Sequence, residues 1–319
     1  MKLFGISILS GVSDKRTDMM GFAMLLVLVY HYALYFGIYH SPIIVRGDIG
    51  VDVFLFLSGY GCCYSAVRHS VKDFYLNRIR RIVPIYLIIE LSVMLCDYFL
   101  YGVSVDKDGI LRLFCLSFFV NGDLSVWYIH ASMLLYVLTP LLVFLLKRKE
   151  TVTFFCMLLS VTCLVYLSVY GKNANLNVML YRIPIYFYGI YCALVSIGKF
   201  EYCVNKLIGG GIWCLVLMLA LQFVLYFSGM IIHNQMRYIL YPVITLLLIY
   251  VLCLYLPQYR LFNWLGKCSL ECYLVHQPIM LYFSFIDNKL LFGLVSGLVI
   301  CLCVCVFHSM NIMILKFLK

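Results

Sequence analysis

Charge is what this chain has least of. Only 12% of its 319 residues are Asp, Glu, Lys or Arg, against 65% that are hydrophobic, and its mean hydropathy is +1.01. A soluble globule lacks the volume to hide that much apolar surface, so soluble enzymes and nucleic-acid-binding proteins are excluded. Polar linkers, low-complexity tracts and internal repeats are also missing, and residues 1–319 read as one domain. No P-loop or dinucleotide fingerprint is present, so a nucleotide would have to be held by side chains rather than by a glycine nest. No His or carboxylate accompanies Cys301-Leu302-Cys303-Val304-Cys305 in its apolar run, which argues against a metal site there. Most of the 15 cysteines lie inside apolar stretches and read as small hydrophobes.

What remains is a set of long apolar runs. Ten of them are long enough to cross a hydrocarbon core, approximately Met19–Tyr39, Ile49–Ala66, Ile82–Leu100, Ile129–Leu146, Val152–Tyr170, Val178–Ile197, Gly210–Met230, Tyr238–Leu256, Leu270–Phe285 and Leu290–Leu315. The first is read as a spanning helix rather than a cleavable signal. The runs do not alternate as barrel strands would, so the expected fold is an all-α polytopic bundle. Ile110–Val120 is too short to span and is expected at the outer surface or re-entering the bundle. The net charge of +10 falls in short clusters between the runs. With ten spans, 17 of the 24 Lys and Arg share the side of the termini and 7 the other, which places both termini in the cytoplasm. That excess needs no nucleic-acid partner. It fits a multi-pass protein of a cell (inner or cytoplasmic) membrane, in contact with its lipids.

Ionisable groups inside such spans are costly and are functional candidates. If the first helix enters at Asp18, thirteen residues place His31 roughly 20 Å in, about two-thirds of the way across. An imidazole there is either a base able to take a proton from a hydroxyl near neutral pH or a contact satisfied between helices. Asp52, about one turn into the second span from outside, either orients that imidazole or caps its helix. Ser58-Gly59 is a small pair suited to close helix approach. Glu90 and His276, each about eight residues or ~12 Å from the cytoplasmic side by these boundaries, line a polar path or satisfy interhelical contacts. Trp127 opens the fourth span where an aromatic belt belongs. The loop Arg68 to Arg81 is the densest in charge. In it Arg78 and Arg81, one helical turn apart, present two guanidinium forks suited to phosphate, or bind lipid headgroups and fix topology.

Taken in order, these motifs resemble the integral-membrane acyltransferase 3 family. The resemblance lies in Leu25-Leu26-Val27-Leu28-Val29-Tyr30-His31, in Gly50-Val51-Asp52-Val53-Phe54-Leu55-Phe56-Leu57-Ser58-Gly59-Tyr60, and in Phe74-Tyr75 with Arg78 to Tyr86. It continues in Trp127-Tyr128, in Arg182-Ile183-Pro184 with Gly189, and in Trp264 to Ser269 followed by Tyr273-Leu274-Val275-His276-Gln277-Pro278. It implies an acyltransferase with acyl-CoA, most simply acetyl-CoA, as cytoplasmic donor, and as acceptor a hydroxyl of a cell-surface polysaccharide or lipid-linked glycan precursor. In that pattern His31 is the base, while Arg78 and Arg81 hold donor phosphates; by its depth in the second span Asp52 is the residue expected to steady the imidazolium. Many members carry a basic residue eleven positions before the histidine. Here that position is Met20, and Arg16, four residues earlier on nearly the same face, is the nearest substitute. The residues alone leave two rivals open: a transporter or flippase for an envelope lipid or glycan, and a catalytically silent relative acting as a scaffold.

Overall fold

In a computed structural model the described residues are 12–38, 47–146, 174–197 and 237–318, the side chains of residues 174 and 237–243 excepted. Among them every regular element is helical. These elements are α1 (Arg16–Tyr35), α2 (Ile49–Arg68), α3 (Val71–Tyr101), α4 (Lys107–Leu113), α5 (Ser117–Asn121), α6 (Trp127–Leu146), α7 (Asn177–Leu180), α8 (Ile183–Ser196), α9 (Arg237–Tyr255), α10 (Arg260–Lys267), α11 (Ser269–Tyr282) and α12 (Lys289–Phe317). Six stretches are long and apolar enough to cross a membrane: α1, α2, α3, α6, Asn177–Ser196 and α12. The expected runs Val152–Tyr170 and Gly210–Met230 lie outside the described residues.

The third span differs from its expected form. The charged segment before Ile82 is not a loop, because α3 begins at Val71 and runs on through Pro84. Its start is written locally: Ser70 is extended, and its hydroxyl accepts the Asp73 amide at 3.1 Å, an N-terminal cap of the Ser-x-x-acid kind. Gly102, in the left-handed region at φ 68°, ends it. Glu90 is on the same helix. It lies twelve residues, about 18 Å, beyond Arg78 on one continuous helix, and it meets Arg112 of α4. Glu90 thus pairs with the segment expected at the outer surface or re-entering the bundle. That segment, Ile110–Val120 in the sequence reading, forms the two short helices α4 and α5.

The chain divides into two compact units, one of Met1–Met19, Asp52–Arg68 and Leu138–Gln258, the other of Met20–Val51, His69–Val137 and Tyr259–Lys319. Within the first, a side chain at Gly59 would strike the backbone of Tyr186, and one at Gly189 the backbone of Phe56. The two glycines let α2 and α8 approach backbone to backbone, the device that small residues supply where lipid provides no hydrophobic drive to pack helices. Thr139 Oγ1 and Tyr186 Oη, 2.6 Å apart, tie α6 to the same place. Within the second unit, α3, α11 and α12 pack on one another. The hydroxyl of Tyr282 on α11 donates to Asp97 of α3 at 2.9 Å, and Glu271 of α11 accepts from Asn311 of α12 at 2.7 Å.

Candidate functional site

The second unit holds a buried pair of histidines. His276 is fully buried on α11. Its Nδ1 lies 2.7 Å from the Tyr273 carbonyl and 3.2 Å from that of Cys272. Carbonyl oxygens only accept, so Nδ1 carries the proton and Nε2 is a bare lone pair. That Nε2 has no hydrogen-bond partner among the described residues. The ring of His31, part-buried on α1, stands edge-on to it with centroids 4.8 Å apart and planes at 61°. The side-chain amide nitrogen of Gln277 lies 3.0 Å from His31 Nε2. Assigned this way, the amide donates, His31 Nε2 accepts, and Nδ1 carries the proton of the neutral ring. An aromatic row leads to the pair: Trp127 against Tyr128 at 6.2 Å, Tyr128 against Tyr273 at 5.1 Å, and Tyr273 against His276 at 5.5 Å.

A second polar knot surrounds Glu90, which is 1% exposed. Its Oε2 lies 3.6 Å from Arg112 Nε, and the same Nε lies 3.4 Å from Asp123 Oδ2. Burial alone would raise Asp123, but the hydroxyl and amide of Ser125, the Arg112 guanidinium and the Ser117 hydroxyl outweigh it and hold the carboxyl below its ordinary range. Beside it, His130 Nδ1 accepts the Phe118 amide at 3.4 Å, which leaves Nε2–H to donate to Tyr86 Oη at 3.0 Å. Tyr86 in turn donates to the Arg112 carbonyl at 2.5 Å. The chain of bonds fastens α4 and α5 to α3 and α6. His130, Tyr86 and Arg112 were not singled out from the sequence. The signal for His130 was present, since it is a histidine inside an apolar run.

In the first unit Asp52 and Arg182, both nearly inaccessible, form a salt bridge of 2.7 Å through Arg182 Nε. Asp52 Oδ2 accepts from Thr245 at 3.2 Å, and the guanidinium lies 4.5 Å over the Tyr181 ring. The Asp52 carboxylate, in the first turn of α2, thus meets a guanidinium and a hydroxyl in the core. Ser58 is half-buried on α2. Arg16 opens α1 in the same unit, and a side chain at Gly61 would come within 3.0 Å of its guanidinium.

Arg78 and Arg81 both sit on the first three turns of α3. Arg78 is half-buried, its guanidinium 5.5 Å over Phe74 and 5.7 Å over Tyr136, while Arg81 is exposed. A guanidinium set over two rings is restrained in position by cation–π attraction.

A polytopic helical membrane protein with a buried histidine pair defines the class. An acyltransferase domain model matches residues 19–310, and the chain belongs to that acyltransferase 3 family: it is a membrane acyltransferase. Neither curated proteins nor solved structures give a match.

Proposed function

We propose that the protein moves an acyl group, most simply acetyl, from cytoplasmic acyl-CoA to a hydroxyl of a cell-surface polysaccharide or a lipid-linked glycan precursor, with His31 as general base. The observation that carries this reading is the His31 ring itself: an imidazole fifteen residues, about 22 Å, along α1 from Arg16, with Nε2 in the acceptor state. Gln277 N–H stands where an acceptor O–H would stand, so a hydroxyl that replaces it meets a base already in the right tautomer. As the acceptor oxygen bonds the acyl carbon, its proton passes to His31 Nε2, the carbon–sulfur bond breaks, and the imidazolium returns the proton to the leaving thiolate.

Arg78 and Arg81 are the donor-phosphate residues in this reading, with Arg16 as a third cation. An extended pantetheine arm then spans the distance from the cytoplasmic end of the bundle to the histidine. The experiment is release of CoA thiol from acetyl-CoA by the purified protein in the presence of an envelope glycan extract. Full rate retained by His31→Ala would refute the base assignment. Comparing surface glycans by mass with and without the protein separates acyl transfer, seen as an acyl-sized difference, from transport, seen as loss of the whole glycan.

A further inference from the structure

Two facts about His276 stand apart from the family resemblance. Its Nδ1–H is fixed by the carbonyls of its own helix, so the tautomer does not depend on any ligand. Its Nε2, in a side chain with no exposure, accepts nothing among the described residues. A buried acceptor left bare is costly, and such a group asks for a donor. The neighbouring donor is Nδ1–H of His31, in the tautomer that Gln277 sets, on a ring whose centroid is 4.8 Å away. Closing that hydrogen bond takes rotation of a ring within its pocket, not movement of a helix, and such bonds often tighten only when substrate is bound.

We propose that His276 is the positioning residue of the base: its Nε2 accepts Nδ1–H of His31 and holds the imidazolium that forms as the acceptor hydroxyl loses its proton. This deepens the acyl-transfer reading and rests on it. The couple has the logic of a nucleophile, base and orienter, with a neutral imidazole in the place usually filled by a carboxylate. A neutral partner suits a site within the hydrocarbon region, where a second charge is costly. The proton balance is unchanged: one proton leaves the hydroxyl, rests on His31 and goes to the thiolate, while His276 keeps its own Nδ1 proton throughout.

Two substitutions separate this role from a structural one. In His276→Asn the amide N–H replaces Nδ1–H against the carbonyls and the acceptor at the Nε2 position is lost. In His276→Gln the side chain reaches the Nε2 position with an oxygen that accepts, and the carbonyl contact is lost. The proposal expects Asn to lower kcat at least tenfold with donor KM little changed, and Gln to recover most of that loss. The reverse order, Asn active and Gln impaired, overturns it. A second readout needs no turnover: ¹⁵N spectra of histidine-labelled protein, assigned by difference from His276→Asn, are expected to show His276 protonated at Nδ1 and bare at Nε2. A protonated Nε2 overturns the pairing whatever the activity. Absence of CoA release by the unaltered protein overturns the acyl-transfer reading, a result distinct from either.

Discussion

Asp52 and Arg182 face each other at 2.7 Å with 1% and 3% of their side chains exposed. Removing one partner leaves a buried charge without its counter-ion, a loss of about 3–5 kcal/mol. Arg182→Leu or Asp52→Leu is therefore expected to cut the yield of monodisperse protein and lower its thermal midpoint in detergent. The double change to Leu at both positions should recover much of the loss. If either single substitution matches the unaltered protein in a thermal melt, the pair contributes nothing to stability.

Gln277 offers a test of the His31 tautomer. A carboxylate only accepts, so Gln277→Glu would draw the proton onto Nε2, and the nitrogen facing the hydroxyl could no longer accept its proton. The expected result is a fall in kcat of about a hundredfold or more, given ~2.7 kcal/mol for one decisive polar group at a reacting centre. Gln277→Ala, which only removes the N–H, should lose far less. Equal losses in the two variants, measured by thiol release, would show that tautomer is not what Gln277 controls.

For Arg78 and Arg81 the expectation is a raised apparent KM for acetyl-CoA when either becomes Gln, by about tenfold or more, from ~1.5–3 kcal/mol per charge-assisted contact. Lys should restore only part, since it lacks the planar fork. Membrane insertion measured in parallel separates donor binding from topology. Unchanged donor dependence in both Gln variants would place the phosphate contacts elsewhere.

Tyr86→Phe removes the hydroxyl between His130 and the Arg112 carbonyl; His130 Nε2 is left unmatched at about 1–3 kcal/mol, while the Arg112 carbonyl keeps the Cys115 amide. Faster amide exchange over residues 107–121 is expected, with the α11 region unaffected. Exchange identical to the unaltered protein would mean that another contact holds α4 and α5.

Asp123 predicts the pH response of the same segment. Because its carboxyl lies lower in the folded chain than its ordinary 3.8, its contribution to stability is full above that value and is lost as pH falls through the lower folded one. Exchange protection of residues 107–121 should hold from pH 7 to 5 and weaken below about 3.8. Protection that weakens already between pH 6 and 5 would point to a different titrating group.

The helical class and the prominence of His31 were legible because hydropathy and an ionisable group inside it are local signals. The start of α3 was legible too, in Ser70 and Asp73, but the density of charge there was read as loop, whereas a helix lying along an interface carries Lys and Arg without penalty. Partners were not legible. Arg182 is 130 residues from Asp52 and Gln277 is 246 from His31, separations at which periodicity says nothing. Glu90 of α3 meets Arg112 of α4, and the turns that set α4 and α5 depend on Asp106 and Gly122.

At 31 residues, α3 is a rod of about 46 Å, longer than the ~30 Å hydrocarbon thickness. Its arginines at one end and Glu90 and Asp97 farther along are therefore carried by one continuous helix, with no loop between them. Pro84 lies between, where an amide donor is missing and bending concentrates. A bend of α3 at Pro84 would therefore tilt the arginine end against the Glu90 end without changing the length between them.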